Sequence, residues 1–132
     1  MKYMLLTYLD EKKWLALTDE QQRADMEKCE PHVQRLASSG KLLGGSPLHP
    51  VSTATTVRAR AGKRIVTDGP FAETREQLGG YTIVEAKDLD EAIDMAAGFL
   101  GDDSLASIEV RPILDLADVP GRERFGEHVR AV

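Results

Sequence analysis

Cysteine, long apolar runs and an excess of basic charge are all scarce in this sequence of 132 residues. The one cysteine, Cys29, excludes an internal disulfide and a thiolate metal cluster, which is typical of a reducing compartment. The three histidines show no HxH or HExxH spacing, so we expect neither a metal nor a cofactor. The formal net charge of -5 is opposite to the basic surplus that nucleic-acid binding needs, and we expect no nucleic-acid partner.

The chain also lacks a segment that would place it in a membrane. No stretch approaches the roughly 20 consecutive apolar residues that span a bilayer. The apolar start of the chain ends at Asp10 and is followed by no small-residue cleavage site of a signal peptide. We therefore expect a cytoplasmic protein without membrane contact. Its 42% hydrophobic and 30% charged residues are ordinary for one globular domain.

Apolar periodicity and capping residues predict the order β-α-β-hairpin-β-α-β. A strand over 3–9 is apolar on both sides and is expected at the centre of a sheet. Thr18 and Gln21 form a capping box that opens a helix, which Pro31 kinks or restarts and Gly40 ends. The other predicted elements are strands over 41–48, 53–60, 64–67, 80–86 and 107–113, and a helix that Asp88 opens and Gly101 stops.

This order is that of an α+β, ferredoxin-like βαββαβ sandwich with an extra hairpin. Right-handed crossovers place both helices on one face of the sheet, yet at least two strands are apolar on both sides. A second copy of the chain, packed sheet against sheet, covers the bare face, and we expect a homodimer. The domain is predicted over 1–114. The polar remainder, 115–132, is a tail with a short helix near 121–129.

Three segments together resemble the DGPF branch of the YCII-related family: MKYMLL at 1–6, VTDGPFAETREQLGGY at 66–81 and IEVRP at 108–112. The resemblance covers 1–114 and implies a bacterial protein with a ferredoxin-like dimer of the dimeric α/β-barrel type. It implies no defined activity. Family members have been proposed as enzymes because a histidine and an aspartate can face each other in a cleft. The aspartate of that pair matches Asp68. The position of the histidine holds Cys29, with His32 one turn further on, so the pair is not intact in this chain.

Asp68 is the predicted catalytic residue. It lies where a strand gives way to Gly-Pro, and its carboxylate is positioned to act as a general base or to hold a ligand donor. The alternative is a tight turn in which the side chain bonds its own backbone. The predicted ligand-binding residues are Phe71, Glu73, Arg75, Gln77, Tyr81 and His49. Glu73 and Arg75 are equally explained as a solvated ion pair, and His49 as part of a Pro47–Pro50 turn.

Cys29 is either a nucleophile, with help from Lys28 and His32, or a small apolar residue on the inner side of its helix. Gly44-Gly45 and Gly79-Gly80 either admit a ligand or serve a bulge or tight sheet packing.

The leading hypothesis is a protein that binds a small molecule in a cleft at Asp68, with cofactor-free acid–base chemistry if it is an enzyme. In that case Arg75 or a tyrosine hydroxyl stabilises developing negative charge. One alternative is a non-catalytic binding or regulatory module that acts through a partner protein. The other is a purely structural role for residues 68–71 in folding and dimerisation.

Overall fold

A computed structural model describes residues 1–122 and 124–129. These residues form six strands and three α-helices. The strands are β1 Lys2–Leu9, β2 Leu42–Pro47, β3 Thr55–Arg60, β4 Lys63–Asp68, β5 Gln77–Glu85 and β6 Ala106–Pro112. The helices are α1 Glu11–Leu15, α2 Asp19–Ser38 and α3 Leu89–Ala97. None of the helices described is long and apolar enough to cross a membrane.

The main sheet is antiparallel and has the strand order β2-β5-β1-β6. The central position predicted for the first strand is confirmed, because β1 pairs with β5 on one side and with β6 on the other. The fold is α+β, and this strand order is consistent with the ferredoxin-like arrangement. β3 and β4 form a separate hairpin that is inserted between β2 and β5.

The core lies between one face of this sheet and helices α2 and α3. Alternation along β1 sends Tyr3 and Leu5 to that face, where both are almost fully buried. The buried cluster consists of Tyr3, Leu5, Leu36, Val84, Ala86, Ala92, Met95 and Ala96, with Ile108 and Val110 of β6 packed against it. Ile108 and Val110 therefore lie on the core side of the sheet.

The opposite face of the sheet, here called the open face, is also apolar. Met4, Leu6 and Tyr8 alternate with the core residues of β1 and are partly exposed. Their partners on β5 include Tyr81, opposite Leu6, and the buried Ile83, opposite Met4. Ile83 is no member of the core cluster, as expected for a side chain on the open face.

The predicted starts of α2 and α3 are confirmed by their caps. The Gln21 N–H donates to Thr18 Oγ1 at 3.1 Å, and the Thr18 N–H donates to Gln21 Oε1 at 2.9 Å. The Glu91 N–H donates to Asp88 at 2.9 Å. The Glu91 carboxylate also accepts from the Lys41 ammonium at 2.9 Å, which holds the pKa of that carboxyl below its ordinary value.

Pro31 does not restart helix α2, which runs through it from Asp19 to Ser38. A proline in this position leaves the carbonyl of Glu27 without its helical donor. Both Glu27 and Pro31 are exposed, so water can hydrate that carbonyl. Gly40 follows the helix in the left-handed conformation, with φ +73°, as predicted for the residue that ends it.

Helix α3 ends at Ala97, so the end predicted at Gly101 is wrong by several residues. The N–H groups of Phe99 and Leu100 bond to the carbonyls three residues earlier, at 3.1 and 3.0 Å, and the turn tightens there. Phe99 lies just beyond the helix, and its ring packs edge-on against His32 of α2, with the centroids 4.7 Å apart. The tail forms short 3₁₀ turns at Leu116–Asp118 and Phe125–Glu127. The positions 123 and 130–132 lie outside the described residues.

Candidate functional site

Asp68 is the last residue of β4 and pairs with Thr55 across the hairpin. Gly69 then turns the chain with φ +96°, a conformation that glycine adopts at little cost. The turn is held by the Gly69 N–H, which donates to the Ala54 carbonyl at 2.7 Å, and by Thr56 Oγ1, which donates to the Gly69 carbonyl at 2.8 Å. The backbone therefore reverses here without help from the Asp68 carboxylate.

The Asp68 side chain is exposed and makes no hydrogen bond or ion pair to any residue within 1–122 or 124–129. The turn explanation requires the Asp68 carboxylate to accept a hydrogen bond from the neighbouring backbone. No such hydrogen bond is present among the described residues. A carboxylate that does not hold the turn is available to accept a proton, or a hydrogen bond from a ligand.

The segment after Asp68 is displayed in the same exposed manner. Phe71 is 77% exposed, and its carbonyl accepts from Arg58 Nη2 at 3.1 Å, which ties the segment to β3. Glu73 and Arg75 are both exposed, and no ion pair joins them. The single chain thus presents Asp68, Phe71, Glu73 and Arg75 without enclosing them.

The other predicted ligand-binding residues are divided between structural and free positions. Gln77 has a structural role, since its Oε1 accepts from the Glu11 N–H at 3.0 Å and its Nε2 donates to the Thr74 carbonyl. Tyr81 lies partly exposed on the open face of the sheet. His49 is exposed, and no hydrogen bond or ion pair joins it to Asp68.

Glu11 is a residue of this region that the sequence patterns did not reveal. Both of its carboxylate oxygens accept from the Val51 N–H, at 3.1 and 3.3 Å, so helix α1 clamps the loop that leads into the hairpin. The only local sequence signal for helix α1 was Asp10, whose side chain caps the helix by accepting from the Lys13 N–H at 3.3 Å.

Two shallow depressions on the surface of the chain lie away from Asp68. One is lined by Pro31, Gln34, Arg35, Ser38 and Ser39 at the end of α2. The other is lined by Met1, Lys41, Glu85, Ala86, Lys87 and Glu91, where β2 meets α3. Neither includes a residue of the predicted site.

Cys29 and His32 lie at the contact between α2 and the end of α3. The Cys29 thiol donates to the Phe99 carbonyl at 3.3 Å, and burial, with a smaller contribution from the charge of Asp25, raises the pKa of this thiol. His32 Nε2 lies 2.7 Å from the Met95 carbonyl, to which it donates. Both side chains therefore join two helices, and neither meets Asp68.

The raised pKa predicts a slow thiol. Because little thiolate forms at neutral pH and the sulfur is only partly exposed, Cys29 should react with a disulfide reagent about tenfold or more slowly in the native protein than in the unfolded chain. The measurement is the rate of Ellman's reagent reduction at pH 7.5, with and without guanidinium chloride. A native rate above the unfolded one would instead indicate an activated nucleophile.

The described residues contain no cluster of three or more histidine, cysteine, aspartate or glutamate side chains that could hold a metal ion.

Comparison with known proteins places these segments in a family. The model of the YCII-related domain matches residues 1–116. An uncharacterized protein of Rhizobium meliloti (strain 1021) is 39% identical over 114 residues, which cover 86% of this chain and 92% of the relative.

Proposed function

Because the chain belongs to the YCII-related family, we propose that it binds a small molecule at Asp68, in a cleft that forms in a homodimer of the dimeric α/β-barrel type. The observation that supports this function best is the Asp68 carboxylate, which is exposed and has no partner among residues 1–122 and 124–129, at a turn that other groups hold. In the exposed segment that follows it, Glu73 and Arg75 offer both signs of charge, and Phe71 offers an apolar side chain.

If the bound molecule reacts, the groups present suit cofactor-free acid–base chemistry. Asp68 would remove a proton, and the Arg75 guanidinium or a tyrosine hydroxyl would stabilise the negative charge that develops. We also propose that the chain belongs to the DGPF branch of the family and that it is located in the cytoplasm.

A non-catalytic binding module is the second candidate, and one observation favours it. The resemblance assigns the family histidine position to Cys29, whose thiol donates to the Phe99 carbonyl, and the nearby His32 donates to the Met95 carbonyl. No histidine of helix α2 is therefore free to work with Asp68. This candidate predicts ligand or partner binding without product.

A thermal-shift screen of a metabolite panel on wild type and Asp68→Asn tests the proposal. A ligand at 100 times its Kd stabilises the native state by about 2.7 kcal/mol, which raises Tm by several degrees. We expect Asp68→Asn to abolish that shift while its own Tm without ligand stays within about 3 °C of wild type, since the carboxylate supports no contact.

Asp103→Asn is the matched control, because Asp103 is an exposed aspartate in another loop and should keep the ligand shift. Product formation from each hit, followed by NMR, separates the enzyme from the binding module. If no compound shifts the wild type and Asp68→Asn melts well below it, Asp68 has a structural role and the proposal is wrong.

A further inference from the structure

The β3–β4 hairpin is a ribbon with two different faces. Cross-strand partners share a face, so the register divides its side chains into two sets. The first set, here called the Asp68 face, is Thr55, Val57, Ala59, Arg64, Val66 and Asp68. The second set, here called the basic face, is Thr56, Arg58, Arg60, Lys63, Ile65 and Thr67.

The centre of the Asp68 face, the Val57–Val66 pair, is apolar and uncovered in a single chain. Val57 is 63% exposed and its partner Val66 is 55% exposed. The hairpin pairs with no strand of the main sheet, and all six residues of β4 are exposed. A two-stranded ribbon alone is marginally stable in water, so this face needs another surface against it.

The accessible area of the chain is larger than that of a compact monomer of its mass. It is 10073 Å², whereas the size scaling for a compact monomer of 14.5 kDa gives about 6,900 Å². The excess is several times the roughly 800 Å² that each partner buries in a standard interface. A chain that folds in this shape therefore has area to bury in a stable dimer.

Charge indicates which partner fits. Residues 55–68 carry four basic side chains and one acidic one, although the whole chain has a formal charge of -5. Three of these basic side chains lie on the basic face, whereas the Asp68 face carries one charge of each sign, Arg64 and Asp68. In a symmetric contact a second copy presents this face with complementary charges.

We propose that the Asp68 face of the β3–β4 hairpin docks on a second copy of this chain, which closes the site around Asp68. Asp68 lies on the same face as Val57 and Val66, so whatever covers the valines also encloses the carboxylate. The site is then incomplete in one chain, as the exposure of Asp68 and Phe71 indicates. The small molecule that this site would bind rests on the proposed function, whereas the interface itself can be tested without a ligand.

The test compares two neighbouring residues of β4 that point to opposite faces. Val66→Asp introduces a charge on the Asp68 face, and Ile65→Asp, the matched control, introduces the same charge on the basic face. Sedimentation velocity over a dilution series gives the dimer Kd of each. We expect Val66→Asp to raise the Kd about 100-fold or more, because a symmetric dimer carries the change twice. Ile65→Asp should change it less than about threefold.

Val57→Asp on β3 is a second variant that should reproduce the effect, and far-UV circular dichroism checks that each variant is folded. If wild type is a dimer and Val66→Asp dimerises equally well, the hairpin inference is overturned while the proposed dimer stands. Equal weakening by Ile65→Asp overturns it too, since the effect then belongs to no particular face. A monomeric wild type overturns both, and the metabolite screen still decides ligand binding independently.

Discussion

Gly98→Ala is expected to lower the free energy of unfolding by about 2–3 kcal/mol. At an ordinary helix position the same change stabilises, by up to about 1 kcal/mol, because alanine is the better helix former. Gly98 has a helical φ of -65°, but a Cβ there would lie 2.2–2.5 Å from ring atoms of His32. The ring cannot move away cheaply, since it donates to the Met95 carbonyl and packs edge-on against Phe99.

The double variant Gly98→Ala/His32→Ala isolates this contact. Urea unfolding of the two single variants and the double variant should give a favourable coupling energy of at least about 1 kcal/mol, because removal of the ring makes room for the methyl group. Gly101→Ala is the matched control, because no atom of the described residues lies within 4 Å of a Cβ at that position. A Gly98→Ala protein as stable as wild type would show that His32 does not fill this space.

Gly45→Ala is expected to cost about 3 kcal/mol or more and to loosen the edge of the main sheet. Its Cβ would lie 2.6 Å from the Tyr81 carbonyl oxygen and 3.1 Å from the Thr82 Cα, both backbone atoms of β5. Neither can shift without breaking the pairing of β2 with β5. The φ of +156° adds strain for any residue with a side chain.

The adjacent Gly44→Ala supplies the control, since a Cβ there would meet no atom within 4 Å in the part of the chain that the structure describes. Denaturant unfolding should show a loss of stability for Gly45→Ala that exceeds the loss for Gly44→Ala by at least about 2 kcal/mol. Similar losses in the two variants would contradict the close approach of β2 to β5.

Local signals in the sequence predicted much of this fold. The capping residues Thr18 and Asp88 predicted both helix starts, because each satisfies backbone donors a few residues away. The paired glycines were assigned either to ligand access or to bulges and tight packing. The structure shows a register shift between Leu42 and Gly44 and close backbone contact at Gly45, which accounts for this first pair through sheet packing.

Features that depend on contacts between distant segments could not be predicted from the sequence. Beyond the end of α3, Phe99 packs against His32, a residue 67 positions earlier that it meets only after folding. The clamp from Glu11 to Val51 is of the same kind. Asp68 could be identified as a candidate from its position before Gly-Pro. That its carboxylate bonds to none of the residues described by the structure is a property of the folded turn.

Solvent accessibility of individual methyl groups tests most directly whether a second copy encloses the site at Asp68. With a soluble gadolinium chelate, NMR relaxation reports how closely water approaches Val57, Val66 and Ile65. As the protein concentration rises, we expect the Val57 and Val66 methyl groups to become protected while Ile65 stays accessible. Equal accessibility of Val66 and Ile65 at every concentration would show that the Asp68 face stays open to solvent, and the composite site would be refuted.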